Sequence, residues 1–203
     1  MRVPSFTALG AVTLLAGFLT LPTAQLPTAR AMLATGGPDQ LLAADGAPPK
    51  VEPPRDPLFR HQWHLPAIEV PAAWAISRGA GATVAVLDTG AAYEDRAPYR
   101  RAPDLAGTRF VSGWDFVDDD AHPDDVPPSG GLRSHGTHIA GIIAQTTGNG
   151  IGGAGVAPAA AIMPIRVLRP DRNGSGQDIA RGLLFAADHG ADVANLSIAG
   201  PSP

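Results

Sequence analysis

Two residues suited to moving a proton stand at the ends of apolar or helical segments. Asp88 follows the apolar run Ala82-Thr-Val-Ala-Val-Leu87 and precedes Thr89-Gly90. In open parallel sheets, ligands bind beyond the carboxyl ends of the strands. A carboxylate held there by backbone N–H groups is favoured in its ionised form. Aspartate before Thr-Gly is also an ordinary turn former, so Asp88 alone reads equally well as a turn residue. His135 opens the segment Ser134-His-Gly-Thr-His-Ile-Ala-Gly141. Imidazole changes charge nearest neutral pH and suits general acid–base work. A histidine at a helix start faces a cleft more readily than one inside it, and Gly136 and Gly141 permit close backbone approach. His138 reads instead as a packed, hydrogen-bonded histidine. Its spacing from His135 is His-x-x-His, not the His-Glu-x-x-His of zinc hydrolases. Between Asp88 and His135, Asp118-Asp119-Asp120 and Asp124-Asp125 gather hard oxygen donors of the kind that hold calcium. The alternative for that cluster is a solvated acidic loop.

The elements that must position these residues follow from hydrophobic pattern. Continuous apolarity over 82–87 predicts a strand buried on both faces, as in a parallel sheet. Ala161 to Leu168 is a second expected strand, although Pro164 removes a ladder donor. Asp192 to Ile198 is a third. Helices are expected over His135 to Gln145, with Ile139, Ile142 and Ile143 on one face, and over Gln177 to His189, with Ile179, Leu183, Leu184 and Ala187 at helical spacing. Ser175 is the expected N-cap of the second helix, with Asp178 three residues on, and Gly190 is its stop. Strands alternating with helices predict an α/β fold with a parallel sheet. The long polar segment from Asp88 to Ser134 is of the kind that is usually functional or mobile.

Composition narrows the function. The 203 residues are 44% hydrophobic and 17% charged, enough apolar material to bury a core. The net charge of −4 argues against nucleic acid as a partner, because phosphate neutralisation needs clustered Lys and Arg. The absence of cysteine excludes disulfides, thiolate catalysis and Cys-ligated metals. Residues 1–31 read as a secretory signal peptide: Arg2, an uncharged apolar run from Phe6 to Leu21, the break at Pro22, and the Ala29-Arg-Ala31 cleavage pattern. A secreted protein with no stable membrane anchor after cleavage is therefore expected. Residues 32–55, with Pro48-Pro49 and Pro53-Pro54, read as a Pro/Ala/Gly-rich linker or short pro-segment. The globular part is expected over 56–203.

Val84-Ala-Val-Leu-Asp-Thr-Gly90 followed by His135-Gly-Thr-His-Ile-Ala-Gly141 resembles the subtilase family of serine proteases, whose triad runs Asp, His, Ser along the chain. Gly150 to Pro158, Ile162 to Leu168 and Asp192 to Ile198 resemble the family's later segments in the same order. The resemblance implies a subtilisin-like serine endopeptidase with a parallel sheet flanked by helices. Asp88 would orient His135, and His135 would act as general base and then general acid. Gly174, Ser175 and Gly176, together with Ser197, Ile198 and Ala199, would form two edges clasping an extended polypeptide substrate. Ala199 stands where the family usually has glycine, so its methyl would crowd the substrate backbone or narrow the first specificity pocket. The resemblance also implies a structural Ca2+ held by the side chains of Asp56, Asp104 and Asn149 and by the carbonyls of Thr146, Ile151 and Gly153.

No segment matches the family's Gly-Thr-Ser-Met-Ala-like nucleophile motif. Ser134 adjoins His135, while Ser175 and Ser197 match substrate-edge positions. Asn195 does not match the family's oxyanion-hole asparagine. The expectation is the N-terminal part of a peptidase domain, truncated at its C-terminus and inactive alone. The alternative is a catalytically inactive, peptide-binding pseudoprotease fragment.

Overall fold

In a computed structural model of the chain, residues 51–125, 134–171 and 173–200 are described. The expected signal peptide and residues 32–50 of the expected linker lie outside them. Five strands form one sheet: β1 (Thr83–Asp88), β2 (Arg109–Phe110), β3 (Trp114–Asp115), β4 (Ala161–Arg166) and β5 (Val193–Leu196). The order is β2-β4-β1-β5, with β3 also pairing β4, and every strand pair is parallel. Two one-turn helices, α1 (His64–Ala67) and α2 (Val70–Ala73), precede the sheet. Two longer ones are interleaved with its strands: α3 (His135–Ala144) between β3 and β4, and α4 (Gly176–Asp188) between β4 and β5.

Period-two alternation sends successive side chains of the central strands to opposite faces. Val86 and Ile162 pack with Ala140 and Ala144 of α3. Ala85, Leu87, Met163 and Ile165 pack with Ala186, Ile179 and Phe185 of α4. All six residues of β4 are buried, which is why its first five are a continuous apolar run rather than an alternating one. A smaller core of Leu65, Val70, Trp74 and Ala154 has Val51 packed against it, so the packed region begins upstream of Asp56.

Pro164 lies inside β4, and the topology explains its tolerance. The carbonyls of Ile162 and Arg166 accept from Val111 and Phe116. Pro164 points the same way and falls where β2 has ended and β3 has not begun. Its missing N–H therefore breaks no ladder bond, and Gly113 sits against its carbonyl where any Cβ would overlap it.

Helix α4 departs from its expected face. Leu183 and Leu184 are exposed, and Ala187 is also exposed. Gly182 and Ala186 are the buried positions. A Cβ at Gly182 would lie 2.8 Å from Val167 Cγ1 and 3.1 Å from Leu87 Cδ2, so glycine lets the helix close on the sheet. On α3, likewise, the small residues Gly136, Ala140, Gly141 and Ala144 are buried while Ile142 is exposed. Both ends of α4 follow expectation. Ser175 Oγ accepts from the Asp178 N–H at 3.0 Å, and Gly190 turns at φ 77° while Ala191 N donates to Ala186 O.

Candidate active site

Asp88 is the last residue of β1 and is fully buried. Its Oδ1 accepts from the Thr89 N–H at 2.7 Å. His135 Nδ1 lies 2.8 Å from Oδ1 and 2.9 Å from Oδ2 of the same carboxylate. A carboxylate only accepts, so Nδ1 carries the proton and Nε2 is left as the basic nitrogen. The His135 side chain is 25% exposed.

The first turn of α3 is pinned on three sides. Gly136 N donates to Thr89 Oγ1 at 3.0 Å. Thr137 donates to Asp125 Oδ2 from its N–H at 3.0 Å and from its hydroxyl at 2.6 Å. Thr137 Oγ1 in turn accepts from the Ala92 N–H. These bonds satisfy N–H groups that a helix start leaves without intrahelical partners. Gly136 packs directly on the Gly90 carbonyl, where a Cβ would overlap it. That contact is what lets the histidine turn lie against the end of β1.

His135, Leu168, Ser197, Ile198 and Ala199 line one cleft of about 230 Å3. One expected substrate edge thus faces the histidine. Gly174, Ser175 and Gly176 do not line this cleft; they sit exposed at the start of α4. Gly174 lies over the Val167 carbonyl and the Leu168 side chain, one residue back from the cleft wall. His138 is exposed rather than packed, because the buried face of α3 is taken by its small residues. Leu168 and the supporting Thr89, Thr137 and Asp125 had no distinguishing signal beyond their positions next to Asp88, His135 and β4.

The expected calcium residues converge on one loop. Asp56 is buried and accepts from Gly148 N at 2.7 Å and Gly150 N at 3.0 Å. Asp104 accepts from Asn149 Nδ2 at 2.8 Å and from Gly153 N at 3.0 Å. Asn149 Oδ1 accepts from Ile151 N. Among the described residues, no hydrogen bond reaches the carbonyl oxygens of Thr146, Ile151 or Gly153. The two carboxylates, the amide and these carbonyls are all hard oxygen donors, the chemistry that calcium takes.

The acidic loop does not form one shell. Asp118 pairs with Arg166, Asp119 with Arg181, Asp124 with Arg96, and Asp125 holds Thr137.

The Subtilase family model matches residues 79–203. The chain belongs to the subtilase family. It is 43% identical over 148 residues to thermitase of Thermoactinomyces vulgaris, covering 72% of this chain and 48% of that protein. It is 35% identical over 149 residues to the halolysin-like extracellular serine protease Nep of Natrialba magadii, covering 73% and 26%. Among solved structures, a protease of Pseudoalteromonas arctica matches with TM-score 0.59 at 33% identity, covering 72% of this chain and 51% of that one. Fervidolysin of Fervidobacterium pennivorans, a keratinolytic enzyme related to subtilisin, matches with TM-score 0.54 at 35% identity, covering 70% and 21%. The fold is thus subtilisin-like, and this subtilase chain spans about half the length of thermitase.

Proposed function

We propose that this chain supplies the aspartate and histidine of a secreted serine endopeptidase that hydrolyses extended polypeptides through an acyl-enzyme. The carrying observation is the contact of His135 Nδ1 with both oxygens of the buried Asp88 carboxylate, at 2.8 and 2.9 Å. Asp88 holds the tautomer in which Nε2 faces the cleft. His135 then takes the proton of a serine hydroxyl and returns it to the leaving amine, while Asp88 stabilises the intervening imidazolium. The serine is not among these 203 residues, and the chain alone is inactive.

Ser197 to Ala199 continue from β5, an outer strand of the sheet, and line the histidine's cleft. An extended substrate pairs there through main-chain hydrogen bonds. Asp56, Asp104 and Asn149, with the carbonyls of Thr146, Ile151 and Gly153, hold a structural Ca2+. The ion ties the 146–153 loop to the two aspartates and takes no part in the bond cleavage. Secretion is supported by the N-terminal signal pattern and by the extracellular relative. Among the described residues no helix is long and apolar enough to cross a membrane.

The test is a peptidase assay on the purified chain with a serine-reactive fluorophosphonate probe. Neither turnover nor labelling is expected. When the chain is assembled with a serine-bearing remainder of the domain, both should appear, and His135→Ala should abolish the turnover. Probe-sensitive turnover by the 203 residues alone would overturn the assignment of the nucleophile elsewhere.

A further inference from the structure

The one-turn helices α1 and α2 belong to a small lobe joined to the end of α3 remote from His135. Leu58 N donates to Gly152 O, and Trp74 Nε1 donates to Val156 O at 2.9 Å. Val156 N in turn donates to Ile142 O, in the last turn of α3. The helix between that turn and the catalytic histidine is ~15 Å long. A groove of about 230 Å3 opens in this lobe, lined by Phe59, Trp63, Pro66 and Trp74 together with Val51 and Pro53. The Phe59 and Trp74 rings lie 6.2 Å apart. Trp63 is 77% exposed, and Leu58, Ile68 and Ile76 of the same lobe are exposed as well. Apolar surface gathered around a groove in this way marks an interaction site.

We infer that this groove seats the Pro-rich segment directly upstream, Ala47-Pro48-Pro49-Lys50, with the two prolines covering Trp63. The chain outside the described residues on this side ends at Val51. Val51 and Pro53 already line the groove, and Val51 packs against the core of Leu65, Val70 and Trp74. The segment before Val51 therefore leaves from the groove itself. Pro48 is three residues away, a reach of ~9 Å in the polyproline II conformation. Aromatic-lined grooves take proline-rich segments in that conformation. Proline's fixed φ leaves little chain entropy to lose on docking. A tether this short also gives an effective concentration in the millimolar range, so the chain's own segment outcompetes a free partner of the same chemistry.

Seated there, the segment is a strap on the fold and not a plug in the cleft. Gln62, which also lines the groove, accepts from Ala154 N at 2.7 Å and donates to Ala154 O at 2.9 Å. Covering the groove therefore braces the 152–156 segment against the end of α3. Of the two readings of residues 32–55, linker or pro-segment, the inference makes their last part a retained piece of the folded domain. It stands apart from the catalytic assignment and does not rest on it.

The test is a double-mutant cycle on the whole chain, read by urea unfolding. One arm is Trp63→Ala, and the other is the joint change Pro48→Gly and Pro49→Gly. The glycines also loosen the unfolded chain, but that effect cancels in the cycle. Trp63→Ala should lower the folding equilibrium constant at least threefold more in the parent than in the glycine background. Ile76→Ala, exposed on the same lobe but outside the groove lining, should lose equally little in both. A smaller difference for Trp63→Ala would overturn the inference. So would a loss that tracks protein concentration together with dimer in sedimentation, since a second copy would then fill the groove. Saturable binding of a free Ala-Pro-Pro-Lys peptide to the intact chain would show the groove standing open and would overturn it as well.

Discussion

Arg166→Met is the substitution whose cost the structure sets most directly. Arg166 ends β4 in register with Asp115 of β3, and both are buried. Arg166 Nη1 donates to Asp115 Oδ2 at 2.6 Å. The other oxygen, Oδ1, accepts from the N–H groups of Val117 and Asp118. Methionine fills much of the arginine's volume but leaves Oδ2 charged and alone. Burial already pushes the Asp115 carboxyl up from its ordinary value, and Arg166 opposes that rise. Removing one partner of a buried ion pair costs ~3–5 kcal/mol. The second partner, Asp118, is 61% exposed and adds little to this figure. With a urea slope of ~2 kcal/mol/M, the unfolding midpoint should fall by ~1.5–2.5 M. The companion variant is Asp115→Asn in the Arg166→Met background. The amide still accepts at Oδ1 but carries no charge, so much of the loss should return. A single-variant cost under ~1 kcal/mol would refute the reasoning. So would a double variant whose loss is the sum of its two parts, because independent sites add and coupled ones do not.

Two further outcomes follow from the same structure. Ser175→Ala should lower stability by ~1 kcal/mol through loss of the cap on α4, whereas Ser175→Asn, which can accept from the Asp178 N–H and donate to its carboxylate, should keep most of it; urea unfolding checks both. Ca2+ should raise the thermal midpoint of the chain by several degrees and a chelator should reverse the gain, since a ligand that binds only the folded state stabilises it. Asp56→Asn should remove this response, and a response that survives the substitution would place the calcium elsewhere.

The elements were legible where one physical signal dominated. The continuous apolar runs at 82–87 and 161–168 gave buried parallel strands, and Ser175 and Gly190 gave both ends of α4. The side-chain detail of the helices was not legible. Periodicity weighs Leu183 and Leu184 heavily, but close approach to the sheet is decided by Gly182, which carries no apolar signal. His138 was misjudged for the same reason, since small residues rather than histidine fill the buried face of α3. Pro164 argued against a strand until the gap between β2 and β3 was known. The Arg166–Asp115 pair joins positions 51 residues apart and leaves no local pattern. The candidate site divides along the same line. Asp88 and His135 were legible as motif residues, and Ser197 to Ala199 as a cleft edge. Leu168, Asp125 and Thr137 enter through tertiary packing alone.

The geometry of the Asp88–His135 pair is set by groups close to it in sequence. Thr89 donates its N–H to the carboxylate and accepts from Gly136 through its hydroxyl, so one residue fixes both partners. Asp125 and Ala92 hold Thr137 from the other side. General base catalysis needs the imidazole held in one tautomer and within hydrogen-bond reach of the hydroxyl it deprotonates. The first requirement is met inside residues 88–137. Under the proposed function, the second depends on a serine supplied from outside these residues. On that proposal, assembling the active centre means bringing a nucleophile to an already oriented base. On that argument the 203-residue chain should bind extended peptide at its cleft edge before it can cleave one.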